Sequence, residues 1–225
     1  MNLKRLGSAG VMVLATAGAV AQFYGGDFDG SYWLAVDFDA YTYDDFAVDG
    51  TGWTVTSLYA NCLSNENVDN MSWEVRSGIT SGNGGTLVAS GNDAVTRTAT
   101  GRHGGPDGGY DEYTLRVNGL SFFLAPGLYY IGVNVGDPLP GIEERTFVSG
   151  TTGTNGFGSP IGNGNSWFDS EFFGGYNFVA TENLLGKPVD FSYGVVPEPN
   201  GVIALGIGIA VFLSMRKRRQ MAGSA

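Results

Sequence analysis

The chain of 225 residues carries 22 acids against 12 Lys and Arg, a formal net charge of −10. Six of the bases lie in the terminal segments, so between Gln22 and Val196 there are 21 acids against six bases, a net of −15; such a surface repels phosphate backbones and argues against nucleic acid as a partner. A single cysteine, Cys62, and a single histidine, His103, leave no internal disulfide framework, no zinc site of Cys type and no His-pair metal motif.

The N-terminus presents Lys4 and Arg5, an apolar stretch from Leu6 to Val20, and a small-residue exit at Ala19-Val20-Ala21. A positive flank, a short apolar run and an A-x-A exit make a signal peptide over residues 1–21, with signal peptidase expected to cut before Gln22. No cysteine follows the cut, which argues against a lipoprotein.

The body, residues 22–195, reads as short strands and turns. Ser31 to Asp39 alternates with Tyr32, Leu34, Val36 and Phe38 on one face, and Trp53, Val55, Ser57 and Tyr59 repeat the pattern after an Asp49-Gly50 turn. Further strands are predicted over 72–76, 86–90, 94–100, 112–117, 128–135, 145–148, 177–181 and 189–195. Alternation over such lengths, bounded by Gly, Asn, Asp or Pro, marks half-buried strands. No window sustains a helical stripe and no repeat of fixed period recurs. The expected fold is therefore all-β, an antiparallel β-sandwich of jelly-roll kind.

Glycine is 37 of 225 residues, more than twice the usual ~7%. With 14 Phe, 11 Tyr and 4 Trp alongside, the excess suits turns in a packed β-fold rather than a disordered chain. The stretch Ser149 to Gly175 is Gly-rich, yet it holds Phe157, Trp167, Phe168, Phe172 and Phe173. Five large rings have no use in a linker, so this segment is expected to fold onto the sheet.

The C-terminal segment, residues 196–225, reads Val196-Pro197-Glu198-Pro199, then an apolar run of 14 residues from Gly201 to Ser214, then Arg216, Lys217, Arg218 and Arg219. As a helix the run is about 21 Å long at ~1.5 Å per residue, short against a ~30 Å hydrocarbon core. It is expected to form a single apolar anchor helix in the inner membrane, with the basic cluster on the cytoplasmic side and the body outside.

Pro197-Glu198-Pro199, a short apolar run and an Arg-rich tail in that order resemble the PEP-CTERM sorting signal of Gram-negative bacteria. The resemblance covers about 25 residues and implies processing by an exosortase, a membrane-embedded cysteine protease-transpeptidase, followed by delivery to the cell surface or the extracellular polymer matrix. Within the body, Asp44-Asp45-Phe46, Gly52-Trp53-Thr54-Val55-Thr56-Ser57, Trp73-Glu74-Val75-Arg76-Ser77-Gly78 and Leu124-Ala125-Pro126-Gly127-Leu128-Tyr129 resemble domains found upstream of such signals. That second resemblance implies a β-sandwich and names no catalytic residue.

Three kinds of chemistry have candidates in the body. Asp27, Asp29, Asp37, Asp39, Asp44, Asp45 and Asp49 form the densest polar stretch. Asp27-Phe28-Asp29-Gly30 offers two carboxylates and a turn to a structural calcium ion, the only cofactor in view, although Asp beside Gly is also ordinary turn chemistry. Paired carboxylates run glycoside hydrolysis when set ~5–9 Å apart, with Glu74 and Glu143-Glu144 as candidates and salt bridges to Arg76 and Arg145 as the plain account. No G-x-S-x-G elbow accompanies His103, which reads as a loop residue. Aromatic rings stack on sugars, and Trp33, Tyr43, Trp167 and Tyr176 are the candidate platforms for extracellular polysaccharide. The leading expectation is a non-enzymatic surface or matrix protein. A carbohydrate-binding module and a secreted glycoside hydrolase are the alternatives.

Overall fold

The computed structural model describes residues 22–136 and 145–198. The expected signal peptide, the residues from Pro199 onward with the apolar run and the Arg216–Arg219 cluster, and Glu143-Glu144 lie outside the described residues. Among those described, the strands are β1 (Phe23–Tyr24), β2 (Phe28–Ala35), β3 (Tyr41–Val48), β4 (Trp53–Ser64), β5 (Asn70–Ser77), β6 (Thr86–Gly104) and β7 (Tyr110–Leu124). They continue with β8 (Gly127–Asn134), β9 (Thr146–Thr151), β10 (Trp167–Ser170), β11 (Tyr176–Ala180), β12 (Asp190–Phe191) and β13 (Tyr193–Pro197). Among the described residues the one α-helix, α1 (Thr181–Leu185), is a single turn, and no described helix is long and apolar enough to cross a membrane.

All strand pairs are antiparallel, as the alternating runs and short turns require, and the strands join in one sheet that curls into a half-barrel. The path runs β1-β13-β4-β7-β6-β5-β8-β3-β10-β11, with β9 joining β2 and β12 to β4. Strand β6 serves both limbs of the curl. Its first half, through Ala94, pairs with β5, and from Val95 onward it pairs with β7. The two runs expected over 86–90 and 94–100 are thus one strand of 19 residues.

The core lies inside the curl. Phe46 and Val48 of β3, Met71, Trp73 and Val75 of β5 and Ile131 and Val133 of β8 meet Val55, Leu58, Ala60 and Cys62 of β4, Leu115 and Val117 of β7 and Tyr193 and Val195 of β13. Cys62 is a buried free thiol, and burial together with the Glu112 charge pushes its ionisation up. It behaves as a small apolar residue.

Not all of the glycine serves turns. Gly132 of β8 faces Tyr43 of β3, and Gly194 of β13 faces Tyr59 of β4. A Cβ at either position would collide with the opposing ring. Each glycine lets a tyrosine lie flat across its neighbour strand, which covers the backbone the glycine leaves bare.

Candidate functional site

A cavity of about 360 Å³ opens where β2, β9, β10 and β11 meet α1, and among its lining residues are Trp33, Arg145, Phe147, Phe173 and Tyr176. Strand β2 supplies Trp33 because its register with β9 shifts between Phe28 and Trp33, which re-aims the strand before it pairs Trp33 with Ser149. Strand β11 supplies Tyr176, whose ring meets Phe168 edge-on at 5.7 Å. Phe168 is buried at the base of the cluster, with Ala35, Ala40 and Phe147.

The charged group at the cavity is Arg145. Its Nε donates to Asp37 Oδ2 at 2.6 Å and its Nη2 to Asp37 Oδ1 at 3.3 Å. Asp37 is fully buried and also accepts from the Thr146 N–H. The guanidinium lies 4.8 Å from the Phe147 ring centroid and 5.3 Å from that of Phe173. Arg145 is thus neutralised by one carboxylate and packed among rings, a geometry that stiffens the cavity wall. The pair spans more than a hundred residues of chain; the expected partners Glu143-Glu144 lie outside the described residues.

Beyond the wall, Phe38 stacks on Phe172 at 4.0 Å, and Phe173, which lines the cavity, meets both edge-on. Phe172 is 61% exposed. The turn that carries it is held by Asp39, whose carboxylate accepts from Ser170 Oγ and from the N–H groups of Glu171 and Phe172. Phe38 adopts a left-handed backbone (φ 55°), a conformation that costs a bulky residue of order 1–3 kcal/mol. The ring stack is what that strain positions.

Of the four expected sugar platforms, the fold brings Trp33 and Tyr176 to this cavity. Tyr43 is a core ring, 1% exposed, with its hydroxyl donating to Glu74 Oε2 at 2.8 Å. A covered ring offers no face to a sugar, so this expectation is corrected. Trp167 sits opposite Tyr43 in the β3–β10 ladder, half-buried, with its indole N–H buried and unpartnered. Residue type alone suggested all four. The Phe38–Phe172–Phe173 stack was missed as a unit, and Asp39 with the Phe172-Phe173 doublet was the only sequence sign of it.

The acidic stretch from Asp27 to Asp49 is dispersed rather than convergent. Asp27 accepts from Tyr24 Oη, from Asn155 Nδ2 and from Arg102 Nη1 at 3.0 Å. Burial alone would raise its ionisation, but these donors and the Arg102 charge outweigh burial and lower it. Asp29 accepts from the Ser31 N–H, two residues ahead. A calcium ion at Asp27 would have to displace a guanidinium, so the pair does not fit the ion. Among the described residues no group of three or more His, Cys, Asp or Glu is arranged to hold a metal.

Asp44 and Asp45 of β3 are buried beside Asp190 of β12. Asp44 accepts from the N–H groups of Phe191 and Asp45, and Asp45 from the side-chain amides of Asn163 and Asn165. Burial, and then the Asp190 charge, push the Asp44 carboxyl well above the usual range; burial likewise raises Asp45. The N–H groups of Gly162, Asn163 and Gly164 close over Asp190.

Glu74 pairs with Arg76, as the plain account had it, and Arg76 also donates to the Gly84 carbonyl. With Tyr43 as a second partner, Glu74 is engaged internally and lends the hydrolase reading no support. His103 lies in β6 rather than a loop, exposed, 3.8 Å from Asp111. Comparison with protein-family models gives no match, and none of the curated proteins matches either. The resemblances stated above therefore rest on their own residues.

Proposed function

We propose that this chain is an exported protein of the cell surface or extracellular matrix of a Gram-negative bacterium. Residues 1–21 direct it across the inner membrane and are removed by signal peptidase; residues 196–225 hold it there until an exosortase cuts near Pro197-Glu198-Pro199. Its body acts without catalysis, as a jelly-roll-like sandwich, a reading supported by the one strand and the one core that both limbs of the curled sheet share. The observation that carries the proposal is where the last described strand ends. β13 stops at Pro197, and the Glu198 N–H makes a last hydrogen bond to the Thr54 carbonyl at 2.7 Å. The tripeptide thus begins at the last backbone hydrogen bond among the described residues, and a cut beyond it leaves the described sheet whole. Intact mass of surface material from the host should show a protein starting at Gln22 and ending near residues 197–199. Surface-exposed protein still carrying Arg216 to Arg219 would refute the proposal.

A second reading is favoured by the cavity. Trp33 and Tyr176 border a preformed concavity whose guanidinium is fixed by Asp37, the arrangement that takes a pyranose by ring stacking. A glycan array probed with the mature protein should give binding that Trp33→Ala and Tyr176→Ala both abolish. Binding unchanged in both variants would remove this cavity as the site.

A further inference from the structure

The C-terminal exit lies at the same end of the molecule as two exposed apolar side chains, Phe123 and Leu128. Glu198 hydrogen-bonds to Thr54, and Thr54 pairs with Phe123 across the next strand boundary. Glu198, Thr54 and Phe123 therefore form one row over three adjacent strands, and at ~4.8 Å per strand the exit lies about 10 Å from the Phe123 backbone.

Phe123 is 61% exposed and Leu128, just past the β7–β8 turn, is 46% exposed; Ala125 and Pro126 between them are exposed as well. No charged residue occurs from Val117 to Gly136, in a body whose net charge is strongly negative. The neighbouring β3–β4 turn adds Gly50, Thr51 and Gly52, and its one acid, Asp49, accepts from the Trp53 indole. This tip is an apolar projection, flanked by Asp49 and Glu198, on an acidic domain.

The tether is short. Only Pro199 and Asn200 separate Glu198 from the apolar run that starts at Gly201. Three Cα steps of ~3.8 Å span about 11 Å at full stretch. A run held in a bilayer therefore keeps Glu198 within about 11 Å of its first apolar residue, with the Phe123 backbone about 10 Å further along the sheet, so this end of the domain is the one held towards the lipid.

We propose that the tip is a lipid-contacting surface, with Phe123 and Leu128 entering the headgroup boundary while the C-terminal run is in the membrane. The proposal rests on the reading of residues 196–225 as an anchor. It makes the tip an orienting contact that presents the opposite end, and the β6–β7 turn, away from the membrane.

The test uses the full chain reconstituted in phosphatidylcholine vesicles, with an environment-sensitive fluorophore on Phe123→Cys or Leu128→Cys. A control label sits on Asp111→Cys, 12 residues back along β7 and thus about 40 Å away. Cys62, being buried, stays unlabelled. The expected result is blue-shifted emission at 123 and 128 that spin-labelled lipid quenches, and aqueous emission at 111 that it does not. Probes at 123 and 128 as aqueous as the one at 111, on a chain that resists carbonate extraction, would overturn the contact while leaving the anchor standing. A chain that carbonate extracts would overturn both. A well-folded signal from either tip variant decides the matter if the other fails to fold.

Discussion

Strands β3 and β6 are built on opposite plans. In β3 five consecutive residues, Thr42 to Phe46, are buried, whereas β6 has no buried residue in 19. One face of β3 enters the core through Phe46, which packs against Phe23, Trp53 and Tyr129. Its other face is roofed by Phe178 over Tyr43 and by Asn163 and Asn165 over Asp45. β6 is covered on one face at most, and its alternation of half-buried with exposed residues follows from that. Cover on both faces makes a strand's polar groups answerable to fixed partners, and cover on one leaves them to water.

The largest expected consequence is in packing. Phe46→Ala should cost about 3–5 kcal/mol, the range for emptying a ring-sized site in a closed core. Val88→Ala, in the first half of β6 and 40% exposed, should stay within about 0.5 kcal/mol. Urea unfolding of the two variants measures both. Similar losses would break the contrast, because they would mean that β6 is covered by something the half-barrel does not include.

That contrast also decides what the sequence could reveal. β6 was legible, as two runs, because a strand wet on one face alternates. β3 was not, because cover on both faces erases the period, and Asp44-Asp45 then reads as a turn. The segment around Trp167 and Phe168 was legible as packing from its rings, though not as the strand β10. At the cavity, Trp33 and Tyr176 were legible by residue type, but Tyr43, identical in type, proved to be covered. Which side of a strand faces water depends on what lies over it, here Gly132 and Phe178 from distant stretches of chain. The Asp37–Arg145 pair was hidden for the same reason, since no local spacing marks partners so far apart in sequence.

The next effect is on pH. Asp44 has its ionisation raised by burial and by Asp190, so the folded state holds a proton that the unfolded chain releases. The stability this contributes is fully present below the unfolded value near 3.9 and is lost as pH rises through the folded one. Asp27, tied to Arg102 of β6, has its ionisation lowered; its contribution is present above the unfolded value and lost as pH falls through the folded one. Between pH 7 and pH 5 the melting temperature should therefore carry a rise towards acid that Asp44→Asn removes and Asp27→Asn leaves in place. Below pH 4 the two variants should exchange roles. Equal slopes in both variants and the parent chain would show that the cover over β3 admits water.

The smallest expected effect concerns calcium, and it asks whether the acids near β6 are as loosely committed as that strand's exposure suggests. Asp27 lies at the surface, yet it already accepts three donors, one of them the cationic Arg102 Nη1. Arg102 in turn donates through Nε to Glu112, which is fully buried. Calcium asks for 6–8 oxygen ligands, and Asp29, turned to its own Ser31 N–H, supplies no second carboxylate to the same point. Binding would have to break the Arg102 contact and leave Glu112 with less compensation. An ion that binds the native state alone raises stability by mass action, so the presence or absence of a site has a direct signature. The melting temperature should be the same in millimolar calcium and in chelator, within error. Asp27→Asn should lower it slightly and equally in both, because the loss is that of a partly exposed ion pair. A calcium-dependent rise in the parent chain that Asp27→Asn and Asp29→Asn each abolish would mean that Arg102 yields its place, and that the acids beside β6 are less committed than those of β3.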